Sequence, residues 1–218
     1  MIDFKIPDET KAIRDKVRDF VQSECHPAEE NCTAENFDEV LAGLRKTARS
    51  QGLWCPFVPE EHGGMGLRPL ANALVQMELG ESFLGALALN TQGPDDATML
   101  TLLEHGTDFQ KEKFLKPLLN GEKRICYSMT EKAAGADATG MQTKAELDGD
   151  EWVLNGEKWF SSSASVADIA VVMAKTDPDA ARHEQYSTFI VELPNLSLIH
   201  ISEPTRPLYI SYAVFCLK

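Results

Sequence analysis

Near Arg124 the period of the hydrophobic pattern changes, and this change limits the possible folds more than anything else in the 218 residues. Before it, apolar residues recur at helical spacing. Ile13, Val17, Phe20 and Val21 stand at i, i+4, i+7 and i+8, one stripe of an amphipathic helix. Phe37, Val40, Leu41 and Leu44 repeat the pattern, and so do Leu70, Ala73, Leu74 and Met77. Met99, Leu102 and Leu103 carry it to Gly106, placed as a helix C-cap would be. Pro7-Asp8-Glu9 supplies the proline and acidic residues that suit a helix start, where the backbone dipole favours negative charge. Thr107 and Gln110 have capping-box spacing. They open a helix with Phe114 and Leu118 inward, which Pro117 and Gly121 are expected to end.

After Arg124 the period is two. Ile125, Tyr127 and Met129 alternate, Ile169 to Ala174 is an apolar run of buried-strand length, and Ser187 to Val191 alternates again. Asp148-Gly149 and Asn155-Gly156 each sit between strand-like residues. Both predict tight hairpin turns, because Asp, Asn and Gly tolerate the positive φ such turns need. The expected fold class is α+β: an all-α domain over 1–124, then an incomplete antiparallel β domain over 125–195. No internal repeat or low-complexity tract interrupts this order.

Composition narrows the function classes. Hydrophobic residues make up 43% and charged residues 25%, as in ordinary soluble globular chains. The formal net charge is -13, and Lys111, Lys113, Lys116 and Lys123 are interleaved with Glu112 and Glu122. A nucleic acid needs clustered cations, so it is not an expected partner. No apolar run approaches the roughly 18 residues of a membrane span, and Met1 to Lys5 lacks an apolar signal core, so the cytoplasm is the expected location. Five cysteines without C-x-x-C spacing disfavour both disulfides and structural zinc. Gly63-Gly64-Met65-Gly66 lacks the Lys-Ser/Thr of a phosphate loop. His62, His105 and His183 have no Ser or Cys at triad spacing. Asp95-Asp96 reads as a helix N-terminus rather than a paired-carboxylate site.

Several further motifs remain. Tyr127-Ser128-Met129-Thr130-Glu131, followed by Gly135-Ala136-Asp137, resembles the flavin-binding signature of the acyl-CoA dehydrogenases. Leu154 to Ser162 is similar to that family's Asn-Gly-x-Lys-aromatic stretch, and Ala174-Lys175-Thr176-Asp177-Pro178 to the strand end that follows. Pro59 to Gly66, Gly106-Thr107, Gln110-Lys111 and Leu118 to Glu122 resemble segments of its helical domain. The resemblance runs in order from residue 1 to about 195. It departs at Lys132, where the family has Pro, and at Ala136, where it has Ser. The Trp159 to Ser162 run resembles the subgroup fused in animals to a phosphotransferase-like domain.

This resemblance implies FAD as cofactor, held by Tyr127, Met129, Thr130, Gly135, Phe160, Ser161, Ser162 and Ser163. Thr130 would bond the polar pyrimidine edge and Phe160 would shield the ring. Tyr127 would sit beside the ring, and Ser161 to Ser163 would lie near its reactive nitrogen. Ala136 and Asp137 would meet an acyl-CoA substrate, and electrons would pass to an electron-transfer flavoprotein or similar acceptor. The full-length parent would be a homo-oligomer. The family's base is a Glu in a helical domain after the β domain, so no catalytic residue is expected in this chain, which alone should not turn over. Rival readings are a related acyl-CoA oxidase or nitroalkane oxidase, a non-catalytic acyl-CoA- or protein-binding fragment, and a truncated reading frame without function. Leu196 to Lys218 closely resembles a peptide translated from sequencing-adapter DNA and is expected to be foreign to the fold.

Overall fold

The computed structural model describes residues 5–194 and the backbone of two short strands, Leu198–Ile199 and Leu208–Ser211. The rest of 196–218 lies outside the described residues, and so does most of the segment expected to be foreign. The chain forms two compact units, Met1–Gly121 and Glu122–Lys218. No helix of the described residues is long and apolar enough to cross a membrane.

The first unit is helical. α1 (Asp8–Phe20) runs through a π-helical turn, Val21–Cys25, into α2 (His26–Glu30). Then come α3 (Phe37–Ser50), α4 (Pro69–Leu79), α5 (Gly85–Ala88) and α6 (Asp95–His105). α7 (Asp108–Gln110) continues through a second π turn, Lys111–Leu115, into α8 (Lys116–Leu119). The core joins Val17, Phe20 and Cys25 to Leu44, Leu53, Val75, Leu79 and Leu84. Asp95 opens α6, and the Thr107/Gln110 capping box is present with both of its bonds.

Two helical expectations need correction. Pro117 does not end its helix. The π turn before it carries an i→i−5 bond from Lys116 N–H to the Lys111 carbonyl, and Pro27 follows the same arrangement, His26 N–H to Val21. Proline lacks an N–H and its ring crowds the carbonyl four residues back, and the wider turn relieves that crowding. The helix stops instead at Gly121, φ +66°. In α4 the buried residues are Ala71, Val75 and Leu79, while Leu70 and Met77 are 53% and 69% exposed. The helix is apolar on both faces, so its periodicity does not choose between them. Packing against α1 chooses, where Arg18 makes paired bonds of 2.9 and 2.7 Å to Glu78.

The second unit is built on β1 (Ile125–Ser128), β2 (Lys144–Asp148), β3 (Glu151–Lys158), β4 (Ile169–Lys175), β5 (Tyr186–Glu192), β6 (Leu198–Ile199) and β7 (Leu208–Ser211). The α+β class holds, but the sheet is mixed rather than antiparallel. β4 is central: β5 pairs antiparallel along its whole length, while β1 and then β2 pair parallel with it. The β2–β3 hairpin between β1 and β4 returns the chain to the direction in which it left. β3 pairs antiparallel with β7, and β7 with β6. The hairpin at Asp148-Gly149 is present: Asp148 faces Glu151 and Gly149 has φ +62°. The one expected at Asn155-Gly156 is not, since both residues lie inside β3, Asn155 opposite Lys144. Gly156 is there because Thr143 crosses it. A Cβ on residue 156 would overlap Thr143 Oγ1 and lie 2.6 Å from the Thr143 Cα.

Candidate functional site

The end of β1 and the end of β3 meet. From Cys126 to Met129, just past the end of β1, the side chains alternate: Cys126 and Ser128 are buried at 1% and 2% exposure, while Tyr127 and Met129 face outward at 36% and 37%. Burial raises the Tyr127 phenol, and a hydrogen bond with the Thr188 side chain pulls it partly back. Thr130 follows, half-buried. Its carbonyl accepts from Trp159 N–H at 2.8 Å. Its hydroxyl has no hydrogen-bond partner among the described residues.

Across from it stand Trp159, Phe160 and Ser161. The Ser128 and Ser161 hydroxyls are 2.7 Å apart. Phe160 has φ +57° and Ser163 φ +65°, a left-handed backbone that costs a residue with a Cβ about 1–2 kcal/mol. The Phe160 ring is 70% exposed and stacks on Trp159, centroids 5.1 Å apart with 10° between planes. A strained backbone that holds a large apolar ring in solvent leaves a surface suited to a flat aromatic ligand. The Ser162 amide turns back to the Phe160 carbonyl at 2.9 Å, so it is already occupied. The Ser162 and Ser163 side chains are exposed.

Beneath these residues lies an ion pair that the sequence reading did not single out. Lys158 is fully buried and Glu131 is 5% exposed. Lys158 Nζ donates to Glu131 Oε1 at 2.8 Å and to the Met129 carbonyl at 2.9 Å. Glu131 also accepts from the Thr143 amide at 2.9 Å and from the Gln142 amide. Burial alone would raise the Glu131 carboxyl, but those donors outweigh it and hold the carboxyl below its ordinary value. Burial lowers the Lys158 ammonium, and Glu131 recovers part of that. A signal was present in the sequence. Lys158 shares the strand parity of buried Leu154, so a charge was written on an inward position, and an inward charge needs a partner.

Gly135, Ala136 and Asp137 lie elsewhere, on the exposed connection between β1 and β2. Nothing lies within 4 Å of a Cβ built on Gly135, so no close approach by the protein itself requires this glycine. Asp137 accepts from Arg182 Nη2 at 2.6 Å and from the Thr139 amide at 3.0 Å. The Thr139 hydroxyl and amide, and then Arg182, hold its carboxyl below the usual range. The Tyr186 hydroxyl donates to the Thr139 carbonyl at 2.6 Å and secures the same loop.

Thr130, Phe160 and Ser161, brought together with Tyr127 and Met129 on the adjoining strand end, fit a flat ring with one polar edge. Comparison with known proteins bears on the family. The family model described as the acyl-CoA dehydrogenase N-terminal domain matches residues 7–122, and that of the middle domain matches 126–208, past Asn195. Acyl-CoA dehydrogenase family member 11 of Gallus gallus is 37% identical over 201 residues, covering 84% of this chain and 26% of that protein. A solved structure from Mycobacterium abscessus, assigned to the acyl-CoA dehydrogenases, superposes with a TM-score of 0.84 at 28% identity, covering 96% of this chain and 59% of that one. The acyl-CoA dehydrogenase complexed with FAD from Bacillus anthracis has a TM-score of 0.71 at 29% identity, covering 98% of this chain and 37% of that one. The chain thus spans about a quarter of the Gallus gallus relative's length. Two adjoining domain matches, in the order in which the two structural units occur, show that the chain belongs to the acyl-CoA dehydrogenase family.

Proposed function

We propose that the chain carries the FAD- and acyl-CoA-binding part of a flavin-dependent dehydrogenase that converts an acyl-CoA thioester to its 2,3-enoyl form. In this reading 1–124 is the helical domain and 125–195 the flavin-binding β domain. The proton-abstracting carboxylate would belong to a helical domain that follows the β domain in this family. Bound FAD would supply the hydride acceptor for the substrate's β-carbon. The chain's own residues bind and orient. Thr130 offers a hydroxyl, unpartnered among the described residues, to the polar edge of the ring. Tyr127, Met129 and Phe160 cover apolar ring surface and exclude water, which strengthens that hydrogen bond by lowering the local dielectric. Ser161, Ser162 and Ser163 follow Phe160 on the same loop, Gly135 belongs with the cofactor-binding residues, and Ala136 and Asp137 belong to the substrate side. Electrons would leave for an electron-transfer flavoprotein, and the parent enzyme would be a cytoplasmic homo-oligomer.

The observation that carries this reading is the exposed, strained Phe160, next in sequence to the Trp159 whose amide binds the Thr130 carbonyl, with a Thr130 hydroxyl that has no hydrogen-bond partner among the described residues. FAD titration into the chain, followed by the flavin's visible absorption and fluorescence, tests it. Thr130→Val should weaken binding by about 1–2 kcal/mol, the cost of one hydrogen bond to a desolvated polar edge. An unchanged dissociation constant would remove Thr130 from the site. A colourless chain that still binds acyl-CoA would favour a binding module without flavin.

A further inference from the structure

We infer that the buried Lys158–Glu131 pair is a positioning device that fixes the flavin-facing ends of β1 and β3 to one another. This rests on the flavin reading above. Neither residue touches a ligand, since Lys158 is fully buried and Glu131 is 5% exposed. What the pair touches is backbone on both sides of the candidate site. Lys158 Nζ binds the carbonyl of Met129 and the carboxylate of Glu131, the two residues that flank Thr130. It also contacts Met141 Sδ at 3.4 Å. The ammonium's three donors are thereby all engaged. Glu131 spreads the hold by accepting the Gln142 and Thr143 amides. The residue after Lys158 bonds the Thr130 carbonyl through its own amide, at 2.8 Å, and the next is Phe160.

The two side chains assigned to the polar edge and the face of the ring are therefore each one or two covalent steps from the pair. A left-handed Phe160 persists only where its surroundings over-determine it, and this anchor is immediately upstream. Stability alone does not call for an ion pair here. Well-packed apolar residues of similar volume often serve as well or better, whereas a buried pair binds specific atoms in a fixed geometry.

The test separates position from stability. Lys158→Met keeps length and removes the charge, and Lys158→Met/Glu131→Gln removes both charges. FAD affinity, the flavin's induced visible circular dichroism and the melting temperature are measured for the chain and both variants. Losing a charge-assisted bond at the strand end should weaken FAD binding roughly tenfold or more and alter the dichroism. The double variant should recover most of the melting temperature without recovering either flavin signal. If the double variant recovers all three, the pair only stabilises, and the proposal is overturned while the flavin reading stands. If Lys158→Met folds and binds FAD with unchanged affinity and dichroism, the proposal is likewise overturned. If Lys158→Met does not fold, the double variant alone decides. If the unsubstituted chain binds no FAD, the flavin reading for this chain fails, and the positioning role falls with it.

Discussion

Gly156→Ala is the sharpest perturbation that the β unit offers. The added Cβ would overlap Thr143 Oγ1 and lie 2.6 Å from both Thr143 Cα and Cβ, where ordinary van der Waals separation begins at 3.4 Å. A side chain could rotate away, but a main-chain atom cannot, so the segment around Thr143 has to retreat. That segment is held at two points. Its amide donates to Glu131 at 2.9 Å, and its carbonyl accepts from Lys175 at 2.8 Å. Overpacking costs about 1–3 kcal/mol, and losing a bond to a charged carboxylate adds roughly 1.5–3 kcal/mol. The sum, about 2.5–6 kcal/mol, is a large fraction of the stability of a typical domain. Urea unfolding would be followed by the fluorescence of Trp152 and Trp159 in a Trp54→Phe background, since Trp54 lies in the first unit, with helical dichroism reporting that unit. The fluorescence midpoint should fall and the helical one should not. Gly135→Ala, with nothing within 4 Å, is the control and should change little. Trimming Thr143 to Ala should not rescue Gly156→Ala, because the clash with the main chain of residue 143 remains. An unchanged midpoint in Gly156→Ala would refute the close approach of the two segments.

Other outcomes follow from the same geometry. The Thr143 hydroxyl is buried beside Glu131 without a hydrogen bond of good geometry, so Thr143→Val should be neutral or stabilising by up to about 1 kcal/mol in urea unfolding. A clear loss would mean that the hydroxyl does serve Glu131. The Glu131 carboxyl, held below its ordinary 4.5, contributes stability that is fully present above that value and is lost as pH falls through its lower folded-state value. Acid unfolding of the β unit should show that limb, and Glu131→Gln should flatten it. If 196–218 is foreign to the fold, deleting it should leave helical content unchanged and improve solubility, because Tyr209 to Leu217 is uncharged and strand-prone. A marked loss of amide protection along β3, which pairs with β7, would overturn the foreign origin.

Much of this was legible in the sequence, and the failures have physical causes. The change of period at Arg124 and the capping box at Thr107 were readable because each depends on neighbours within a few residues. The meeting of Thr130 with Phe160 came from the family resemblance, since periodicity cannot bring residues 30 apart together. Asn155-Gly156 misled because a turn and a backbone crossing both ask for glycine, and only the tertiary structure shows that Thr143 is the reason. α4 misled because it is apolar on both sides. Lys158 and Glu131 were passed over because a charge in a strand is usually a solvated one. The parity that marks Lys158 as inward becomes telling only when β3 is known to continue through Gly156.

The two π turns also bear on chain length. A π turn fits one residue more between fixed helix ends than an α turn would, and each here has a proline two residues after it, Pro27 and Pro117. Side chains beyond such a turn are rotated by about one helical step, roughly 100°, relative to an uninterrupted helix. The residues after Val21–Cys25 and after Lys111–Leu115 therefore keep their inward phase only while both the extra residue and the proline are kept. A shortened loop between helices would change only the connection, whereas a single-residue deletion inside either π turn would rephase the short segment after it, which carries half-buried Ala28 in α2 and buried Leu118 in α8. Length variation in this unit is thus tolerable in the connections and coupled to proline within these two helices.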